Sequence, residues 1–155
     1  LITDLLALAQ EGEGTTELTA IRLPTLAENC WRTVDTADAN IVTDVDRTIR
    51  ADEGRLSQVF ENLIRNAVEH GGDGVTVRVG ELDAGFYIED DGPGIPEDKR
   101  DDVFDAGYST SDQGTGFGLS IVKQVIDAHG WVIHLTEGTE NGARFEITGV
   151  EFAAE

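Results

Sequence analysis

Apolar residues recur at helical spacing in four stretches of this chain and alternate with polar ones in several others. The clearest stripe lies between residues 52 and 69. Leu56, Val59, Phe60, Leu63, Ile64 and Ala67 fall at i, i+3, i+4, i+7, i+8 and i+11, which is one core-facing side of a helix. A second helix is expected from Pro24 to Val34, with proline at its start and Leu26, Ala27, Cys30 and Val34 on one side. A third covers 118–129, with Leu119, Val122, Val125 and Ile126 inward, and "PEDKRDDVF" (96–104) reads as a short helix. At the front, Leu1, Leu5 and Leu8 share a helical face in "LITDLLALAQ", which reads as the end of a helix from a longer protein.

Period-two alternation marks the strands. "ANIVTDV" and "RTIRA" read as a hairpin, and "VTVRVG" (75–80) with "GFYIED" (85–90) as a second pair. "WVIHLTE" and "ARFEITG" close the chain as two more strands, with Trp131 expected in the core. The Gly-rich stretches "EGEGTTE" and 105–117 read as linker and loop. Together these predict an α+β chain: three main helices on one face of a mixed, mostly antiparallel sheet, a two-layer sandwich.

Composition narrows the partners. The 155 residues carry 31 acidic and 11 basic side chains, for a net charge of −20, and only Lys99 and Lys123 are lysines. Such a surface repels nucleic acid and anionic membranes, and no apolar run is long enough to span a bilayer, so neither nucleic-acid binding nor direct membrane insertion is expected. Abundant acid with almost no lysine suggests adaptation to high salt, where ions screen the self-repulsion. Cys30 is the single cysteine, so no internal disulfide forms, which fits a reducing compartment.

Three short motifs carry candidate chemistry. Asn62 and Asn66 are four residues apart and stack beside the apolar stripe. An amide oxygen there suits a hard cation such as Mg²⁺; two ordinary helix-surface amides would look the same. In "YIEDDGPGIPED" a strand runs into Asp90, and Gly92 and Gly94 let the backbone turn close to a flat ligand. Asp90 could accept a hydrogen bond from the exocyclic amine of adenine; an acidic turn is the plain alternative, and the spaced ligands of an EF-hand are missing. In "GTGFGLSIV" Gly114, Gly116 and Gly118 open a helix, whose first N–H groups favour anions. The lysine of a Walker loop does not follow, and a polar loop rather than a strand precedes it, unlike a dinucleotide fingerprint.

In this order, the motifs resemble the catalytic, ATP-binding domain of sensor histidine kinases, within the GHKL ATPase superfamily, and the acidic composition resembles its haloarchaeal members. "NLIRNAVEH" resembles the asparagine box, "DDGPGIP" the first glycine box, "VFDAGYST" the phenylalanine box and "GTGFGLSIV" the second glycine box; the likeness runs from about Leu18 to Phe152. The resemblance implies a Bergerat-type sandwich binding ATP with Mg²⁺. It assigns Asn66 to Mg²⁺, Asn62 to the phosphate side and Asp90 to the adenine amine, with Gly92, Gly94 and Ile95 shaping that wall. His70 sits where a phosphate contact is common. Gly114, Thr115, Gly116, Phe117, Gly118 and Leu119 would form the lid hinge and phosphate contacts, with Phe104 and Tyr108 packing the lid.

On this basis residues 1–14 are the end of a dimerisation helix plus linker, and 15–155 the catalytic domain. The implied partners are the phosphoacceptor helical domain of the same parent and a response-regulator receiver domain, in the cytoplasm. No phosphoacceptor is present, because none of His70, His129 or His134 precedes the acidic–Leu–Arg pattern of that helix. Hydrolytic relatives place a glutamate where Asn62 stands, and an amide is no general base. A non-catalytic binding domain is the third reading. Two departures stand out: Glu69 replaces a usual basic residue, and Asp101–Ser120 contains no Lys or Arg, leaving Lys99, Arg100 and Lys123 as substitutes. His129 ends a helix, where a cation complements the dipole; it and His134 read as structural.

Overall fold

The computed structural model describes residues 18–34, 36, 38–70, 74–95, 97–100, 104, 118–138 and 142–153. In chain order these form β1 (Thr19–Arg22), α1 (Leu23–Thr33), β2 (Asn40–Asp44), β3 (Thr48–Ala51), α2 (Glu53–His70), β4 (Thr76–Leu82), β5 (Gly85–Asp90), α3 (Gly118–Ala128), β6 (Val132–Glu137) and β7 (Ala143–Thr148). Of the expected 96–104 helix, Glu97–Lys99 form one 3-10 turn and Phe104 is also in 3-10 conformation. The expected terminal helix and linker before Leu18 lie outside the described residues.

The helices start where local chemistry allows. Pro24 occupies the first turn of α1, where a missing N–H costs nothing. Asp52 caps α2: its Oδ1 accepts the Arg55 N–H at 3.1 Å, and Glu53 complements the dipole. All six residues of the α2 stripe are buried. Phe60 stacks on Phe86 of β5, with ring centroids 5.5 Å apart, and so fixes α2 over the sheet. Cys30 is buried between α1 and α2, with its Sγ donating to Ser57 O at 3.7 Å. Burial, with help from the Glu61 charge, pushes its thiol up to about 11, so it is a packing residue.

The main sheet has the order β2-β4-β5-β7-β6, with β2 parallel to β4 and the other pairs antiparallel. The expected β2–β3 hairpin is not formed. β3 pairs with β1 in a separate two-stranded sheet. The reason is burial: β2 alternates between exposed and half-buried, whereas Thr48, Ile49 and Ala51 of β3 are all buried. Val45 dives into the core between them, so no tight turn joins the strands. The parallel β2–β4 pair is closed by the long crossover through α2.

Val77, Val79, Phe86, Ile88, Phe145 and Ile147 face the helices and form the core. On the opposite face the Tyr87 ring lies across Gly80, where a Cβ would meet it at 2.2 Å. Arg144 stacks on that ring, with its guanidinium carbon 3.8 Å from the centroid.

His129 is neutral rather than cationic. Its Nε2 accepts the Asp52 N–H at 3.1 Å, so the ring proton is on Nδ1, which donates to Val125 O at 2.9 Å. It thereby ties the end of α3 to the start of α2, with Trp131 against its ring and buried. Replacing His129 with alanine strands the Asp52 N–H, while Val125 O keeps the backbone N–H of residue 129 at 3.1 Å, and is expected to cost about 2 kcal/mol in urea unfolding.

Candidate functional site

Asp90 ends β5 with the same parity as Phe86 and Ile88, so it points to the helix-covered face, and it is only 8% exposed. Its Oδ1 accepts two backbone N–H groups, from Gly92 at 2.9 Å and from Ala143 at 3.3 Å. Among the described residues Oδ2 accepts nothing, yet it is not sealed from solvent. Burial pushes the carboxyl above its ordinary value, and the Gly92 and Ala143 amides pull it back. The result is a fixed, desolvated acceptor with one lone-pair face turned outward. Such a group recognises an amine strongly, because any wrong partner leaves it unpaired.

The loop after Asp90 is held from both sides. Asp91 Oδ1 accepts the Thr76 N–H at 2.8 Å. Gly94 adopts φ 78°, a left-handed conformation that glycine takes at no steric cost. Ile95 packs against the core, and its carbonyl accepts Arg100 Nε at 3.0 Å. Behind the loop, on the outer face, buried Glu89 meets Arg144 at 3.3 Å and Arg78 at 3.8 Å, clamping β4, β5 and β7 together.

Gly142 was invisible as a site residue in the sequence. A Cβ there would stand 1.9 Å from the Asp90 carbonyl oxygen and 2.6 Å from Asp90 Oδ1. Its lack of a side chain is what lets β7 begin close enough for the Ala143 N–H to reach Asp90. The only sequence signal was a glycine entering the alternating run "NGARFEI".

Asn62, Asn66 and His70 lie on successive turns of α2, and all three are half-buried. Asn62 Nδ2 donates to Gln58 O at 2.8 Å, and its Oδ1 accepts Arg65 Nη1 at 3.3 Å. The Asn66 side chain makes no hydrogen bond among the described residues. Among those residues no group of three or more His, Cys, Asp or Glu is placed to hold a metal. A magnesium ion at this site would therefore rest on the single amide plus ligand oxygens and water, a mode Mg²⁺ favours.

Gly118 and Leu119 open α3, with Leu119 packed on the core. Phe104 also packs there, edge-to-face with Phe145 at 6.2 Å. Tyr108, Gly114, Thr115, Gly116 and Phe117 lie outside the described residues. Of the candidate cations, Lys123 is held by Asp127 at 2.8 Å and Arg100 by the Ile95 carbonyl. His134 sits exposed on β6 opposite Glu146.

A helix layer over one sheet face, with a buried carboxylate at a strand end beside it, makes an α/β sandwich. The chain belongs to the histidine kinase-, DNA gyrase B- and HSP90-like ATPase family, which its residues 51–151 match. It is 38% identical to Sporulation kinase A of Bacillus subtilis over 104 residues, covering 64% of this chain and 17% of that protein. It is 32% identical to the adaptive-response sensory kinase SasA of a Nostoc species, covering 96% of this chain and 41% of that one. The chain thus spans less than half the length of these curated relatives. Among solved structures it superposes on the catalytic domain of histidine kinase ThkA with TM-score 0.70 at 31% identity, covering 84% and 93% of the two chains. The mycobacterial sensor histidine kinase MprB shares the fold at TM-score 0.76 and 24% identity, over 88% of this chain and 100% of that one. The chain is an ATP-binding catalytic domain of the histidine-kinase type, and its three helices on a mixed sheet are the expected sandwich.

Proposed function

We propose that this domain, from about residue 15 onward, positions Mg-ATP and delivers the γ-phosphate to a histidine on a helical dimerisation domain of the same parent. From there the phosphoryl group passes to a response-regulator receiver domain in the cytoplasm. The observation that carries this reading is Asp90: buried, fixed through Oδ1 by two amides, with Oδ2 turned outward. In this reading Oδ2 accepts the adenine amino group, and Gly92, Gly94 and Ile95 form the wall beside the base. Asn66 holds Mg²⁺, Asn62 supports the phosphate side and His70 contacts it. The segment from Gly114 to Leu119 closes over the phosphates, Tyr108 packs that lid, and Phe104 anchors its start. Magnesium supplies the charge neutralisation that phosphoryl transfer requires. The protein's own contribution is orientation, a dry adenine pocket and no base for water.

The last point separates kinase from hydrolase. Asn62 cannot take a proton from water, and its amide is already engaged with Gln58 and Arg65. Glu61 lies about 100° around the helix, close enough to Cys30 to influence its thiol. A Mg-ATP titration in concentrated potassium chloride, with ADP release followed in the same sample, tests the reading. Saturable binding with negligible ADP release is expected. Steady turnover would make the domain a hydrolase, and absence of binding by folded protein would leave only a non-catalytic role. Among the described residues no helix is long and apolar enough to cross a membrane.

A further inference from the structure

We infer that Arg65 supplies the cation for the phosphate tail that Asp101–Ser120 and Glu69 do not; this rests on the ATP reading above. Arg65 lies between Asn62 and Asn66 on α2, in a chain of net charge −20. Its two ion-pairing positions on the helix, i−4 and i+4, are both glutamates, Glu61 and Glu69. On a helix surface such an arginine ordinarily pairs with one of them, as Lys123 does with Asp127 at 2.8 Å. Among the described residues neither glutamate ion-pairs with Arg65. The guanidinium instead folds back one turn and donates from Nη1 to Asn62 Oδ1 at 3.3 Å.

That choice has a local cause. Asn62 Nδ2 is committed to Gln58 O at 2.8 Å, which turns Oδ1 toward Arg65 and fixes the amide. The charge is thereby held on the asparagine side of the helix by a neutral partner. A neutral partner leaves the charge unspent: four of the five guanidinium donors, arranged as a planar fork that matches phosphate oxygens, bond nothing else among the described residues. Among the described residues, other cations near the site have protein partners. Arg100 Nε is taken by the Ile95 carbonyl, and Arg78 and Arg144 meet Glu89 on the opposite face of the sheet. Asn62 is thus a positioning residue for Arg65, and Arg65 is the group that meets the anion.

The test is a titration of Mg-ATP and of adenosine into wild type, Arg65→Gln and Arg65→Lys at one fixed potassium chloride concentration, with thermal unfolding of each protein. Arg65→Gln is expected to weaken Mg-ATP about tenfold, as loss of a charge-assisted hydrogen bond does, and to leave adenosine affinity and the unfolding temperature unchanged. Arg65→Lys should recover part of the loss, since it restores the charge but not the fork. Equal losses for Mg-ATP and adenosine would make Arg65 a structural residue and overturn the inference. Wild-type affinity for both ligands in Arg65→Gln would overturn it too, while leaving the ATP reading intact. Failure of the wild type itself to bind Mg-ATP would instead defeat the underlying reading.

Discussion

Asp90→Asn is expected to weaken ATP binding by about a hundredfold or more while leaving the fold at least as stable at neutral pH. The two effects have one source. Oδ1 keeps its role in the variant, because an amide oxygen also accepts the Gly92 and Ala143 N–H groups. Oδ2 becomes an NH₂ donor, which faces the donor amine of adenine and leaves two buried donors unpaired. Stability moves the other way. Burial raises the Asp90 carboxyl above its ordinary 3.8, so between that value and the folded one the native state binds more protons than the unfolded state. The Asp90 contribution therefore favours folding at low pH and is lost as pH rises through that window. Asparagine has no charge to desolvate and escapes this loss. Calorimetry with ATP, and thermal unfolding of both proteins at pH 4 and pH 7, check the prediction. A stability gain for the variant that grows from pH 4 to pH 7 is the expected sign. A variant that binds ATP as tightly as wild type would remove Asp90 from the adenine site.

Gly142→Ala is expected to do the reverse, damaging the fold and the site together. Its Cβ would enter at 1.9 Å from one backbone oxygen and 2.6 Å from the Asp90 carboxylate, distances no rotamer can relieve. Either β7 must retreat from β5 or the end of β5 must bend. Overpacking of this kind costs about 3 kcal/mol at the upper end of its usual range, and either movement pulls the Ala143 N–H off Asp90 Oδ1. Unfolding should move down by roughly 10 °C, and ATP affinity should fall even where the protein remains folded. Gly138→Ala is the control. Its Cβ would meet the same Asp90 carbonyl at 3.4 Å, which needs an adjustment of only a few tenths of an ångström. If the two variants unfold at the same temperature, the close approach of β7 to Asp90 is not what holds the site.

The contrast between these positions shows how much the sequence discloses. Asp90 was legible because a strand pattern ran into an acid and two glycines, all local signals. Asn62 and Asn66 were legible because four-residue spacing puts them on one side of a helix whose buried side was already marked by Leu56 to Ala67. Gly142 was not, since what it must avoid is a carbonyl 52 residues earlier in the chain. The neutral state of His129 was equally hidden, because the donor that demands it belongs to Asp52. Arg65 stands between Glu61 and Glu69, and nothing in that spacing indicates that it bonds Asn62 instead.

By itself the sequence determined the three main helices, most of the strands, the helix-covered sandwich and the order of the nucleotide-site motifs. These follow from periods of 3.6 and 2 and from turn residues, which act over a few positions. Tertiary structure alone decided that β2 runs parallel to β4, that β3 leaves it for β1, and that β7 closes on Asp90. Strand partners and close backbone approaches are settled by burial between distant segments. No local pattern encodes which of several alternating strands will share an edge.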